Sequence, residues 1–174
     1  MSVRKEIGSA VVDVVIAAAM LIFVILPVFS VVMEKYVLLE KARMIRDSVD
    51  VTNISAYNAL FAGNLGRVYV NVDHTEALEI FKELLSANLK LDDELNPKEG
   101  SIVEGRVEVR SLEIYASGFP VICPGGKTII KPSIHSSINI PIQPALYRRV
   151  VLALLGKNSI DVVVHVDSEI PVNN

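Results

Sequence analysis

Three histidines, one cysteine and a few short polar runs are the residues of this chain with the chemistry to catalyse or to bind. His74, His135 and His165 fall in different predicted elements, and none has a second histidine or a cysteine at zinc-ligand spacing. A metal site built from them requires convergence in three dimensions. The plainer expectation puts His74 at a helix start and His165 at solvent or a sheet edge. Cys123 stands beside Pro124 with no base nearby in sequence, which reads as a structural thiol and not as an activated nucleophile. A pocket lined by His74, Cys123 and His165 together would be needed to revive an enzyme. The run PGGK at 124–127 lacks the full spacing and the strand-to-helix setting of a phosphate loop, so it reads as a turn. The acids at 92–94 offer a weak calcium motif that is more often solvated surface. Asn53-Ile54-Ser55 matches a glycosylation acceptor but falls inside a predicted helix. None of these assembles a catalytic constellation, and no cofactor or metal is expected.

A different pair carries more information. Gly8 is followed, five residues on, by Asp13, which lies at the edge of a long apolar run. A glycine leaves the backbone open to a protease. A cut after Gly8 would free the α-amino group of Ser9, which is cationic near neutral pH. A carboxylate just inside a bilayer costs on the order of a few kcal/mol. Pairing Asp13 with that amine, from its own or a neighbouring chain, would offset the cost and favour ordered lateral association. Ser9, Ala10, Ala17, Ala18 and Ala19 are small enough to let helices approach closely. The alternative puts Asp13 at the headgroup level, favoured there by a helix N-terminus, with Gly8 incidental.

The elements that position these residues follow from patterning. Residues 14–33 form a run of twenty without a charge, interrupted only by Pro27 and Ser30. At helical rise they span roughly 30 Å, the thickness of a bilayer core. The mean hydropathy of +0.44, high for a chain with 21% charged residues, reflects this segment. The run exceeds a signal-peptide core and lacks a small-residue cleavage site after it, so a retained single-pass anchor is expected. Pro27 is expected to kink or loosen the helix, as prolines do inside membrane spans. Beyond it, Leu38, Ala42, Ile45, Val49, Ala56 and Leu60 make an apolar stripe, with a weak stretch at 50–53 and a wet side to which Glu34 is assigned. The glycines of AGNLG at 62–66 supply a stop.

A compact domain follows. RVYVNV at 67–72 alternates like a strand. Asp73 and Glu76 have the spacing of a capping box ahead of a helix in which Ala77, Leu78, Phe81, Leu84, Leu85, Asn88 and Leu89 fall at helical spacing. Residues 106–116 read as a strand whose halves are out of phase, which a bulge near Arg110 and Ser111 would reconcile. Residues 128–142 read as β, with Pro132 and Pro141 at edges or breaks. Residues 145–156 fit a short helix or a strand and loop. Residues 159–170 read as a strand with Ile160, Val162, Val164 and Val166 on one face. No helix separates the later strands, so a mostly antiparallel sheet is expected.

Gly8-Ser9-Ala10-Val11-Val12-Asp13, the internal Leu26-Pro27 and the amphipathic continuation resemble the class III signal and helix of type IV pilin-like proteins. Within that superfamily they are most similar to TadE-like minor pilins of tight-adherence (Flp) pili. The resemblance covers about residues 4–62 and is faint beyond. It departs from the pattern at Ile7, where a basic or polar residue is usual, and at Asp13, where glutamate is commoner. It implies a leader ending at Gly8, cut by a prepilin-type peptidase, with Asp13 as the acidic fifth residue of the mature chain.

The fold expected is α+β: a long N-terminal transmembrane-plus-amphipathic helix packed on a mostly antiparallel sheet domain. The divisions are a leader at 1–8, a transmembrane helix at 9–33, an amphipathic continuation at 34–65 and an extracytoplasmic α+β domain at 66–174. The expected partners are the prepilin-type peptidase, other pilin-like subunits and the lipid bilayer. Residues 66–174 hold 11 Lys and Arg against 14 Asp and Glu, so no basic field attracts nucleic acid. The signal motif puts the C-terminal domain outside a cell membrane, with association to a pilus; positive charge alone (Lys35, Lys41, Arg43 and Arg46 against Arg4 and Lys5) points the other way. The expected role is structural, not enzymatic. The competing expectation is an uncleaved, signal-anchored binding or scaffold domain.

Overall fold

The computed structural model describes residues 3–62, 73–143, 149, 152–153, 156 and 159–170. The elements are α1 (Val3–Met20), a π-helical turn (Leu21–Ile25), α2 (Leu26–Ala62), α3 (His74–Leu89), β1 (Glu108–Tyr115), β2 (Val121–Ile122), β3 (Thr128–Ile129), β4 (Ser133–Ile142) and β5 (Ile160–Glu169). The fold is α+β with antiparallel strands, as the patterning requires. The predicted strand at 67–72 and most of 145–156 lie outside the described residues. The chain divides into two compact units, Met1–Leu39 with Pro144–Asn158, and Glu40–Gln143 with Ser159–Asn174.

In the first unit the chain is helical from Val3 onward, with one irregular turn. Pro27 has no N–H, so the carbonyl of Phe23 loses its usual α-helical donor. The turn just before the proline is the widened one, where the Leu26 N–H bonds back to the Leu21 carbonyl. From Ala10 to Met33 the side chains are exposed all round, apart from the half-buried Pro27 and Ser30. One helix, Ala10–Phe61, is long and apolar enough to cross a membrane, and none of its most apolar stretch is buried within the protein. A core helix of a soluble domain hides its apolar faces, whereas this stretch leaves its own exposed. Glu34, assigned to the wet side by periodicity, is instead buried.

In the second unit, the sheet has the order β1-β4-β5, all antiparallel. β1 slips register between Val109 and Ser111, which brings both of its out-of-phase halves onto β4. One face carries Leu112, Ile134, Ile138, Ile140, Ile142, Val164 and Val166. On β5 burial deepens from exposed Ile160 through half-buried Val162 and Val164 to buried Val166. This face meets α2, whose Ile45, Val49 and Ala56 are buried, and whose Asn53 donates to Ser168 at 2.9 Å. Ser168 in turn donates to Asp50. Thr52 accepts from Asn88 of α3 at 2.8 Å. The stretch of α2 that looked weakest in sequence therefore holds the helix to both of its neighbours.

α3 buries Ala77, Phe81, Leu85 and Leu89 and starts at Asp73, whose carboxylate accepts from the Thr75 N–H at 2.8 Å. The helix ends on Lys90 in the left-handed conformation (φ 55°), and the Ser101 hydroxyl donates to the orphaned Leu89 carbonyl at 2.6 Å. Pro132 lies just outside β4, as a strand break should. Pro141 lies inside it, opposite Asp161 and beyond the last residue paired to β1, where its missing N–H costs no β1 hydrogen bond. A Cβ on Gly105 would fall 2.4 Å from the Pro141 ring, so glycine is what lets the chain pass there.

Candidate functional site

The structure describes two places that carry chemistry, one at the N-terminus and one on the sheet. At the N-terminus, α1 runs without a break from Val3 through Gly8 and Ser9 to Asp13 and on to Met20. Asp13 is exposed, on a helix whose flanking Val11, Val12, Val14 and Val15 are exposed too. Ala17, Ala18 and Ala19 follow, also exposed. The peptide bond after Gly8 is thus helical here, and a peptidase that takes an extended strand must unwind it. Glycine is the residue that most weakens a helix interior short of proline, by about 1 kcal/mol relative to alanine.

The second place was not legible in the sequence. The face of the sheet opposite α2 carries Glu113 and Tyr115 on β1, Ser133, His135, Ser137 and Asn139 on β4, and His165, Asp167 and Glu169 on β5. Such alternation normally marks a wet face. Here Ser133, His135 and Ser137 are buried, and the turn of the β2–β3 hairpin packs on His135. The hairpin closes through Cys123, whose N–H donates to the Lys127 carbonyl at 3.0 Å and whose carbonyl accepts from the Gly126 N–H at 2.8 Å. PGGK is therefore a turn, with Gly126 at φ 79° as its left-handed residue. Lys127 reaches Glu169 at 3.5 Å, an exposed pair of little energetic weight.

That turn places Cys123 over His135. The Cys123 Sγ, an imidazole nitrogen of His135 and a carboxylate oxygen of Asp167 all lie within 4.8 Å of one another. His135 Nδ1 and Asp167 Oδ1 are 2.7 Å apart. Cys123 is 3% exposed and His135 1%, while the Asp167 side chain keeps 21% of its surface open. A Cβ on Gly125 would stand 3.6 Å from the Cys123 sulfur and 3.9 Å from the His135 ring, so the turn packs directly on the cluster. Around it, the Tyr115 hydroxyl donates to Glu113 at 2.6 Å. Burial first, then that carboxylate, hold the Tyr115 hydroxyl well above its ordinary pKa. His165 is exposed, with its ring centroid 6.0 Å from that of His135.

The chemistry open to this cluster is narrower than its composition allows. Cysteine, histidine and aspartate can form a nucleophilic triad, but a nucleophile must meet its substrate. Cys123 is covered by its own hairpin. A groove along α3, lined by Glu79, Lys82, Glu83, Ser86, Lys90 and Lys98, holds neither a histidine nor the cysteine.

The remaining sequence candidates have structural roles. His74 stands apart from Cys123 and His165; its Nε2–H donates to the Leu112 carbonyl at 3.0 Å, joining α3 to β1. Asp92 accepts from the backbone N–H groups of Glu94 and Asn96, at 3.0 and 2.7 Å, and from the Asn96 side chain. Those bonds hold its carboxyl below the ordinary range and tie up the lone pairs a calcium ion would need. Asn53 is 0% exposed, which closes it to glycosylation in the folded chain. The cluster at 123, 135 and 167 was missed because its members come from a hairpin turn and two strands, far apart in sequence. The one signal available was a histidine at a β4 position whose cross-strand partners are both acids, and that pairing requires the register, not the sequence.

No protein-family model, no curated protein and no solved structure matches the chain.

Proposed function

We propose that this chain is a pilin-like, TadE-like subunit anchored in a cell membrane. It is processed after Gly8 by a prepilin-type peptidase and serves in the assembly of a tight-adherence pilus or a related secretion apparatus. Its role is structural, with the α+β domain outside the membrane. The observation that carries the reading is the glycine-to-acid spacing at the head of one long helix, followed by apolar side chains exposed on every side from Ala10 to Met33. Such a surface requires lipid or other apolar helices around it. Within that surface Asp13 is a lone carboxylate, and the amine freed at Ser9 on a neighbouring subunit is a fitting counter-charge.

The uncleaved, signal-anchored scaffold is kept as a second reading because α1 is continuous from Val3 across Gly8. Asp13→Ala separates the two. In the pilin-like reading the variant still enters the membrane but loses co-purification with neighbouring pilin-like subunits. Co-purification at the level of the unaltered chain would instead favour the scaffold.

A further inference from the structure

We propose that Cys123, His135 and Asp167 form a binding site for a divalent d-block ion of the zinc type. The inference is independent of how the chain is anchored or processed. Three donors of three kinds, on the hairpin, the central strand and the edge strand, meet within 4.8 Å on the covered face of the sheet. A tetrahedral zinc site with one sulfur, one nitrogen and one oxygen ligand sets its donors roughly 3–4 Å apart. The present spacing needs only small side-chain adjustments, chiefly the opening of the 2.7 Å contact between His135 Nδ1 and Asp167 Oδ1.

The donor set argues for the ion class. A thiolate with an imidazole selects a borderline or soft ion over magnesium or calcium, which take oxygen ligands. Charge also balances: one thiolate and one carboxylate neutralise a dication, which suits a site where two of three donors are almost wholly buried. On binding, the thiol proton leaves to solvent and the sulfur–metal bond forms; the imidazole donates the lone pair of the ring nitrogen that takes the metal, and its single proton, shared with Asp167 before the contact opens, ends on the other ring nitrogen. Nothing is oxidised or reduced. Entry is from the Asp167 side, the one donor with open surface. Water completes the coordination. Glu113, the cross-strand partner of His135 on β1, accepts from the Tyr115 hydroxyl.

The test uses the full chain purified in detergent and stripped of metal, titrated with cobalt(II) and then with zinc(II). The proposal expects one cobalt per chain, with a thiolate-to-cobalt charge-transfer band and ligand-field bands of tetrahedral intensity, both abolished when zinc displaces it. Asp167→Asn, at the half-open donor, should weaken zinc binding more than about tenfold, and Cys123→Ser should remove the charge-transfer band altogether. Because His135 and Cys123 are buried and their variants risk misfolding, the spectrum of the unaltered chain decides first. A folded chain that takes up cobalt without a thiolate band, or takes up none at micromolar metal, overturns the site. So does a folded Asp167→Asn chain that binds zinc as tightly as the unaltered one.

Discussion

Asn53 and Ser168 hold each other across the interface between α2 and β5, and Ser168 also serves Asp50. Asn53 and Ser168 are buried and Asp50 is half-buried, so removing the shared hydroxyl leaves the buried Asn53 amide without that partner. Ser168→Ala should therefore lower stability by about 1–3 kcal/mol, read from urea unfolding of the detergent-solubilised chain by tyrosine fluorescence. Asp92 sets a second expectation. Its folded carboxyl titrates below its unfolded value, so its bonds to Asn96 and Glu94 add stability above about pH 3.9 and lose it as the pH falls through the folded value. Melting temperatures of the unaltered chain and of Asp92→Ala should differ at pH 7 and converge as the solution is acidified. A gap unchanged at pH 2 would show that the carboxylate form is not what holds the turn. Neither role could be read from residue type: an acid in a run of three looks solvated, and Asn53 looked like an acceptor for a glycan. What decides both is the partner brought by the fold.

The strands show how far pattern alone carries. The bulge in β1 was legible because the apolar residues change phase around Arg110, and only an extra residue restores them to one face. The inward face of β5 was legible for the same reason, as alternation is local. β4 was half legible. Its isoleucines mark the α2 face, but Ser133, His135 and Ser137 look like a wet face and are buried, His135 against the hairpin turn. The covering element lies elsewhere in the chain, and nothing in β4 itself announces it. As the strand paired on both sides, β4 should be the least tolerant element. Ile138→Ala, at a fully buried position, should cost about 2–5 kcal/mol in the same unfolding measurement. The same substitution at Ile130, which is 64% exposed, should cost under about 0.5 kcal/mol.

At the scale of the whole molecule, two surfaces of opposite character share one chain: an N-terminal helix exposed and apolar on every side, and a domain whose helices and sheet bury their own apolar residues. The first is long and apolar enough to cross a membrane, and the second buries an apolar core of its own. The length and apolarity of that helix were plain in the sequence because a run of uncharged residues requires no tertiary knowledge. The use made of its first residues rests on the spacing of Gly8 and Asp13. The decisive quantity is the N-terminal residue of the chain extracted from membranes of cells that hold an active prepilin-type peptidase, read by Edman sequencing or intact mass. A chain beginning at Ser9, lighter by residues 1–8, is the expected result; a chain that still begins at Met1 in those cells contradicts it.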